Sequence, residues 1–496
     1  MPIIPDSQSN TSRVIKGISS QTLVTIVLGL VEIVSFSIMS RLLTQEDFGY
    51  YAAISAITIV FASFSETGIG SAIVQQKVLS KRYVDNAFTI SLLFGTVLSL
   101  LLLSMAGFLS RTVAADASMK TPLMLMSGTL LLNCLISINT SIMQRKLQFL
   151  RIGLINLISL VITTVVAIAL AYKGYGYYAI ITKAVLSSVI TYLLSLVLCK
   201  TRFSFALDLE SFKKIFSFSG WLMASVLFRN LAHQVDRLLM PRLLSVSALG
   251  SYNRPKDFVE QISSKFNGIF DTALFPILSG IQDDTNALKS AYRRSMYLMN
   301  VFALLLTLTF FFNSGLIIRI FFGEQWINLK PVMMVVSCSL LFNIDGRLAD
   351  CYLRSLALTK QQFYFRIFET VIKTIGVIVG VKWDIIGVAV SLVVTNFISK
   401  IVKILYVGDK VGVRPSESIR LIVYSWRFSL PLIPLVMSAF LFLPNNWSGD
   451  IILAIAYTVV VAFIFLVTPG IVGQQYKDEV YSKIGAFICR IKSNVK

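Results

Sequence analysis

Long apolar runs alternate with short polar connections along the whole chain. An α-helix needs about 20 apolar residues to cross the hydrocarbon core of a bilayer, and fourteen runs approach or reach that length. The pattern therefore predicts an all-α integral membrane protein with about 14 transmembrane helices, and with no sizeable soluble domain on either side. The predicted spans are 18–39, 50–74, 84–108, 121–143, 152–172, 177–199, 216–240, 256–280, 295–318, 331–353, 365–381, 385–407, 421–443 and 451–471.

Basic residues concentrate in alternate connections, which predicts how the chain crosses the membrane. Cytoplasmic connections carry an excess of Lys and Arg, so both termini are predicted to be cytoplasmic. The same bias accounts for the net charge of +20 without any nucleic acid. The residues assigned to the inner connections include Lys81 and Arg82, Arg145 and Lys146, Lys213 and Lys214, Arg293 and Arg294, and Lys403 and Lys410.

One short phrase occurs twice, once in each half of the chain. "MSRLLTQEDFGYY" begins at Met39 and "MPRLLSVSALGSY" at Met240, with Met, Arg, Leu, Leu, Gly and Tyr in register. A weaker echo links "QFLRIGLI" at Gln148 with "FYFRIFET" at Phe363. Six predicted spans separate the copies, an even number, so the halves run in the same direction across the membrane. Gly49 and Gly250 within the phrase are interpreted as relieving a tight turn.

This repeat predicts the organisation of the chain. Two six-helix lobes occupy 1–200 and 201–410, and two further helices without a counterpart occupy 411–473. The added helices are interpreted as peripheral and lipid-facing. The tail at 474–496 places apolar residues on one helical face among basic ones, which is typical of an interfacial anchor helix.

Ionisable residues recur at helical spacing in the second half, although charge at membrane depth is costly and usually faces an interior cavity. These residues fall into four sets, and each set forms one polar stripe along one face of a predicted helix. Four helices with polar stripes predict a water-filled cavity. The stripes are Arg229, His233, Asp236 and Arg237; Asp257, Glu260 and Asp271; Asn343, Arg347 and Asp350; and Arg366, Glu369 and Lys373.

Four basic residues are the candidates for binding an anionic headgroup. Arg229, Lys265, Arg347 and Lys373 lie between the inner third and the middle of the membrane when depth is counted at about 1.5 Å per residue. We call this set the cationic ladder. Nearby carboxylates nearly balance its charge, so a structural role for the same residues stays open.

Membrane carboxylates are the candidates for coupling transport to H⁺ or Na⁺. They are Glu32, Glu66, Asp236, Glu260, Asp271 and Glu369. A plainer, structural interpretation stays open: Asp236 would pair with Arg237 and Asp350 with Arg347, and Glu32 and Glu66 would hydrogen-bond one helix to another.

Other ionisable groups in these stripes also have a plainer interpretation. Asp257 and Arg366 lie near helix ends and are expected to extend towards water. His233, the only histidine, is either a proton relay or a structural polar contact.

Catalytic signatures are absent from the sequence. It contains no GxxxxGK[ST] phosphate loop, no HExxH and no GxSxG, and its five cysteines have no paired spacing. The sequence therefore predicts a secondary transporter or flippase, without a metal or organic cofactor, rather than an enzyme.

Several stretches resemble the Wzx-type polysaccharide transporter family of the multidrug/oligosaccharidyl-lipid/polysaccharide exporter superfamily. They are "SRLLTQEDFGYYAAISAI" from Ser40, "FSETGIGSAIVQQ" at 64–76, "HQVDRLLMPRLLSVSALGSYNRPKDF" at 233–258 and "FPILSGIQDD" at 275–284. Asp236, Arg237, Gly250 and Tyr252 occupy that family's recurrent Asp-basic…Gly-x-Tyr pattern.

The resemblance implies a bacterial inner-membrane protein with two lobes arranged in a V. Such proteins flip undecaprenyl-pyrophosphate-linked oligosaccharides outward for O-antigen, capsule or exopolysaccharide assembly. The implied partners are this lipid-linked oligosaccharide, membrane lipids, and polymerase and assembly proteins. Three alternatives stay open: a small-molecule or drug antiporter of the same superfamily, a membrane-embedded sugar polymerase or ligase, and a non-transporting scaffold for polysaccharide assembly.

Overall fold

The structure is a computed structural model that describes residues 24, 27–65, 70, 73–74, 80–114, 116–199, 204–206, 209–426 and 446–467. Every regular element in these residues is a helix. The helices are α1 (27–42), α2 (Gln45–Ser65), α3 (Lys81–Val113), α4 (Lys120–Arg145), α5 (Phe149–Tyr172), α6 (Tyr177–Cys199), α7 (Leu209–Leu243), α8 (Val246–Gly280), α9 (Thr285–Phe312), α10 (Lys330–Ser337, continued as Leu340–Ser355), α11 (Thr359–Gly380), α12 (Asp384–Val411), α13 (Pro415–Trp426) and α14 (Trp447–Val467).

This all-helical, multi-pass architecture is the predicted fold class. Among the described residues, eight helical segments are long and apolar enough to cross a membrane. The count of fourteen spans stays a prediction, as do the lobe boundaries. The predicted anchor helix at 474–496 and most of the predicted span 421–443 lie outside the described residues.

Helices α2 to α6 pack on one another, and α7 to α12 form a second group around α10, α11 and α12. The two groups meet where α2 packs against α7 and α8. Helix α13 packs on α9 and α12, and α14 packs on α9. The repeat in the sequence therefore corresponds to two helix groups that share one interface.

Each copy of the repeated phrase forms the start of a helix. The Asp47 carboxylate accepts hydrogen bonds from the Thr44 N–H (2.9 Å) and hydroxyl (2.8 Å) at the start of α2. The Ser245 hydroxyl accepts one from the Ala248 N–H (3.0 Å) at the start of α8. Such side-chain acceptors satisfy N–H groups that have no partner within the helix, and they explain why both helices begin earlier than predicted.

Gly49 and Gly250 lie inside these two helices and have no positive φ. The interpretation that they relieve a tight turn is therefore wrong. A Cβ on Gly49 would lie 1.9 Å from the Val246 carbonyl oxygen, and a Cβ on Gly250 would lie 1.7 Å from that of Gln45. The space that each glycine leaves is occupied by the backbone of the other helix. The contacting backbone residue lies four positions before the glycine of that helix. The two copies of the phrase thus contact each other reciprocally.

Polar and aromatic contacts extend this interface along α1 and α8. The Arg254 guanidinium carbon lies 3.3 Å from the ring centroid of Phe36 and 3.9 Å from that of Phe48. Arg254 also donates to the Phe36 carbonyl oxygen (2.8 Å) and to the Ser40 hydroxyl (2.5 Å). We call this region, with the two glycines, the closed end. The Lys and Arg bias predicts that it faces the periplasm.

Helix α14 is held to the second helix group by a buried carboxylate. Asp450 is 4% exposed and accepts a hydrogen bond from Arg319 Nε at 2.7 Å. The Tyr457 hydroxyl lies 2.9 Å from that of Thr309 on α9. Apolar side chains such as Ile455 face outward on α14. The helix therefore has a lipid-exposed face and a polar attachment to α9 and to the connection that follows it.

Candidate functional site

A cavity of about 420 Å³ lies among α7, α8, α10, α11 and α12. We call it the cationic cavity, because its described lining includes seven Lys or Arg side chains and three carboxylates. Residue types that are costly inside a membrane thus converge on one space, as the polar stripes predict. The charged lining residues are Arg229, Arg237, Glu260, Arg347, Asp350, Arg366, Glu369, Lys373, Lys400 and Lys403.

Three members of the cationic ladder line this cavity, and the fourth does not. Arg229, Arg347 and Lys373 are lining residues. Lys265 instead forms an ion pair with Glu32 of α1, with Nζ and Oε2 2.9 Å apart. This pair lines a second space of about 610 Å³, which we call the central cleft because both helix groups contribute to it.

A network of buried ion pairs joins α10, α11 and α12 behind the cavity. Arg366 donates to Asp350 at 2.7 Å and to Glu369 at 2.8 Å. The Lys403 ammonium contacts the same two carboxylates, at 3.3 Å from Asp350 and at a short distance from Glu369. Both cations are at most 9% exposed. Buried charges of this kind persist when they are paired and hydrogen-bonded.

This network corrects three expectations. Arg366 does not extend towards water, because two carboxylates hold it in the interior. The side-chain partners of Asp350 are Arg366 and Lys403 rather than Arg347. Lys403 belongs to α12 rather than to a cytoplasmic connection.

A second network joins α7 and α8. Asp236 accepts a hydrogen bond from the Tyr252 hydroxyl at 2.7 Å and forms a short ion pair with Lys256. The Arg237 guanidinium pairs with Asp257 at 2.5 Å, and only its backbone N–H reaches Asp236. The expected side-chain pair of Asp236 with Arg237 is therefore wrong, and Asp257 is held by α7 rather than extended towards water.

Arg347 and Lys373 are not neutralised in this way. Within the described part of the chain, Arg347 and Lys373 form no ion pair at 4 Å or less. Lys373 also lines a small adjoining space of about 20 Å³, next to His233 and Asp236. His233 is exposed to the cavity, which leaves open whether it is a proton relay or a structural contact. The cationic cavity therefore has paired charges in its wall and available cations facing its interior.

Two coupling candidates lie outside what the structure describes. Glu66 is outside the described residues, as is the side chain of Asp271. Of the other candidates, Asp236 and Glu369 have strong cationic partners, and Glu32 pairs with Lys265. Glu260 differs from Asp236 and Glu369, since it lines the cavity with 36% of its side chain exposed.

Sequence reasoning missed the lysines at positions 256 and 400 and the arginine at position 254. Lys400 and Lys403 lie three residues apart inside the predicted span 385–407, so their spacing alone places them on one helix face. Lys256 lies four residues before Glu260 on α8. Arg254 carried no comparable signal, because its partners are aromatic rings and neutral oxygens on α1 and α2.

Uncharged polar, charged and apolar side chains all line the central cleft. Ser35, Tyr51, Asn253 and Gln261 contribute hydroxyls and amides from both helix groups. Lys183 of α6 also lines the cleft, and its ammonium donates to the Ser35 hydroxyl at 2.6 Å. Hydroxyl and amide groups of this kind form the hydrogen bonds that a sugar requires.

The two helix groups and the polar cavities that they line form a fold that this chain shares with solved structures of a lipid flippase and of a multidrug transporter. A solved structure of the lipid II flippase MurJ in an inward closed conformation is similar, with a TM-score of 0.72 and 16% sequence identity over 90% of this chain and 98% of that one. An inward-facing multidrug resistance MATE transporter gives a TM-score of 0.65 and 14% identity over 80% and 98%.

The chain belongs to the polysaccharide biosynthesis protein family, whose model matches residues 38–331. It is 22% identical to the lipopolysaccharide biosynthesis protein WzxC of Escherichia coli, over 78% of this chain and 80% of WzxC. It is also 22% identical to the teichuronic acid biosynthesis protein TuaB of Bacillus subtilis, over 66% and 68%. The resemblance to Wzx-type transporters is thereby confirmed.

Proposed function

We propose that this protein flips undecaprenyl-pyrophosphate-linked oligosaccharide repeat units from the cytoplasmic to the periplasmic leaflet. The products would supply O-antigen, capsule or exopolysaccharide assembly, together with a polymerase and other assembly proteins. Membership of the polysaccharide biosynthesis family and the likeness to a lipid flippase fold support a transport role in this pathway class.

The cationic cavity is the observation that carries the proposal. A pyrophosphate inside a low-dielectric region needs cationic partners, and Arg347 and Lys373 face the cavity without an ion pair among the described residues. Arg229 lines the same space. The paired cations in the wall would hold the helices in place, and the available cations would contact the anionic headgroup.

The sugar portion would occupy the central cleft. This space is larger than the cationic cavity, and it lies beside it, since Arg237 and Ser264 line both. Separation of the lobes at the closed end would then open the cleft to the other side, by alternating access. Coupling to H⁺ or Na⁺ is part of the proposal, because membrane carboxylates are present while no nucleotide-binding motif is.

Reconstitution with a defined lipid-linked oligosaccharide tests this function. Purified protein is placed in sealed vesicles, and the fraction of sugar accessible to an external oxidant or lectin is followed with time. Arg347→Gln and Lys373→Gln are expected to slow flipping by roughly ten- to a hundred-fold, since a hydrogen bond to a charged group is worth about 1.5–3 kcal/mol. Lys382→Gln, in an exposed turn after α11, is the matched control.

The outcomes separate the candidate functions. Normal flipping by both cavity variants at wild-type abundance would show that these cations are structural. Export of cationic drugs without any movement of the lipid-linked sugar would favour the drug antiporter.

Coupling and orientation are tested separately from the substrate. Full flipping activity with every ion gradient collapsed would contradict ion coupling. Cysteine labelling at Asn446 from outside and at Ser482 from inside is expected, and the reverse pattern would contradict the predicted orientation.

A further inference from the structure

The central cleft contains more basic than acidic side chains. Its described lining includes four cations and two carboxylates. A positive charge at membrane depth is costly when nothing compensates for it. The balance of charge in the cleft therefore depends on which of these six groups neutralise one another. They are Glu32, Lys183, Arg237, Arg254, Asp257 and Lys265.

Both carboxylates of the cleft are already paired with cations of the same space. The two ion pairs are Glu32 with Lys265 at 2.9 Å and Asp257 with Arg237 at 2.5 Å. The cations that remain are Lys183 and Arg254, and within the described part of the chain neither forms an ion pair at 4 Å or less. The cleft thus keeps two positive charges that no described carboxylate neutralises.

These two cations have donors that the described protein does not use. The ammonium of Lys183 has three N–H groups, and one of them donates to the Ser35 hydroxyl at 2.6 Å. Arg254 donates through Nε and Nη2 to oxygens of α1, and its Nη1 has no hydrogen-bond partner among the described residues. The Tyr51 hydroxyl lines the same space and likewise donates to no described group. The cleft therefore offers two cationic donors and one neutral donor to a ligand.

The position of these donors favours an acidic sugar over the diphosphate as their ligand. Lys183 lies on α6 in the first helix group and Arg254 on α8 in the second, and the hydroxyls and amides that suit a sugar line the space with them. The diphosphate already has cationic partners in the cationic cavity, where Arg347 and Lys373 line the wall. An anionic group that lies among sugar-binding donors is a carboxylate carried by the sugar itself.

We propose that the central cleft selects oligosaccharides that carry a carboxylate, and that the Lys183 ammonium binds it. Arg254 Nη1 and the Tyr51 hydroxyl supply further donors. This inference rests on the proposed function, since it concerns the glycan of the same lipid-linked substrate. A charge-assisted hydrogen bond from an ammonium to a carboxylate is roughly twice as strong as one between neutral groups. A hexuronic acid should therefore be preferred to the hexose that carries a neutral CH₂OH at the same carbon.

Two substrates that differ in one functional group provide the test. One is an undecaprenyl-pyrophosphate-linked tetrasaccharide with one glucuronic acid residue, and the other is its carboxyl-reduced counterpart, in which that residue is glucose. Flipping of each is measured in the sealed vesicles described above, at a substrate concentration far below saturation. The wild type is expected to flip the acidic substrate about ten- to a hundred-fold faster, because its carboxylate gains a hydrogen bond to a charged group.

Lys183→Gln is the diagnostic substitution, because it removes the positive charge and keeps a polar side chain. It is expected to lower the ratio of acidic to neutral flipping rates by about tenfold or more. Lys183→Arg keeps the charge and is expected to retain the preference for the acidic substrate. Lys173→Gln, in the exposed turn after α5, is the matched control and should keep the wild-type ratio. A ratio measured on one protein sample is independent of how much of the variant is folded.

The outcomes separate this inference from the proposed function. Equal flipping of both substrates by the wild type would overturn the inference and leave the proposed function standing. An equal loss with both substrates in Lys183→Gln would also overturn it, because Lys183 would then serve the diphosphate or the fold.

Binding of the two free tetrasaccharides, without lipid or diphosphate, is measured on the purified full-length protein by isothermal titration calorimetry. Tighter binding of the acidic tetrasaccharide by the wild type, lost in Lys183→Gln, is expected. That result together with no flipping of either lipid-linked substrate would overturn the proposed function alone. Equal affinity of the wild type for the two tetrasaccharides, or binding of neither, would overturn the inference.

Discussion

The reciprocal contact between Gly49 and Gly250 predicts an unusually sharp response to the addition of one methyl group. In Gly250→Ala the new carbon would lie 1.7 Å from the Gln45 carbonyl oxygen, and in Gly49→Ala it would lie 1.9 Å from that of Val246. Both obstructing atoms belong to helix backbone, which cannot rotate away as a side chain can. The helices must therefore separate by roughly 1.5 Å or more to restore ordinary contact.

This separation has a cost that can be estimated. Overpacking of a tight interior contact usually costs about 1–3 kcal/mol. If the contact exists only while the closed end is closed, the same free energy shifts the ratio of closed to open molecules by about 5- to 150-fold. In the double variant one separation relieves both clashes, so its cost should be smaller than the sum of the two single costs.

Disulfide cross-linking between Glu46→Cys and Ser247→Cys reports on the closed end, since both positions are exposed beside the contact. The measurement is made in a background without the five native cysteines. Cross-linking is expected to fall in each alanine variant. Gly128→Ala is the control, because no heavy atom lies within 4 Å of a Cβ there; it should leave cross-linking unchanged. Unaltered cross-linking and thermal stability in Gly250→Ala would refute the argument.

Three further predictions concern charges outside this contact. Arg254→Lys should destabilise the closed end by about 2–3 kcal/mol, because an ammonium cannot stack between two rings while donating to two oxygens; the same cross-linking assay measures the loss. Glu369→Gln should lower the melting temperature strongly, since removal of one member of a buried pair costs about 3–5 kcal/mol. Adding Lys403→Met should restore part of the loss. A double variant that is no more stable than Glu369→Gln alone would contradict the pairing. Hydrogen bonds from Tyr50 and then from Ser118 hold the pKa of Asp116 below its ordinary value of 3.8. The stability from this group should therefore be present above that value and be lost as the pH falls through the lowered pKa; Asp116→Asn should remove this acid-dependent part of the unfolding curve, and an unchanged curve would count against it.

Sequence reasoning anticipated the features that depend on helical periodicity and repetition. The phrase at Met39 and Met240 indicated two related halves, and the polar stripes indicated a cavity in the second half. Arg229, Arg347 and Lys373 line that cavity as predicted, because spacing along one helix determines which residues share a face.

The rest depended on how the helices are rotated against one another, which spacing along one helix does not contain. Lys265 was grouped with the ladder by depth alone, whereas its position five residues after Glu260 turns it to a different face of α8, where α1 supplies Glu32 as a partner. Arg366 and Lys403 resemble residues near helix ends, and their burial becomes visible only when α10, α11 and α12 are packed together. Gly49 and Gly250 were correctly singled out, but a contact between distant segments was mistaken for a local turn.

The reciprocal glycine contact also has the geometry of a homodimer interface, here enclosed within one polypeptide. In an isologous interface the same patch meets itself, so that residue i of one subunit contacts residue j of the other, and j contacts i. Gly49 opposite Val246 and Gly250 opposite Gln45 follow this rule. This is the arrangement that fusion of two copies of a self-associating six-helix ancestor would leave behind. Each copy of the phrase then constrains the other. A side chain acquired at one glycine must be accommodated by backbone that lies about two hundred residues away in the sequence.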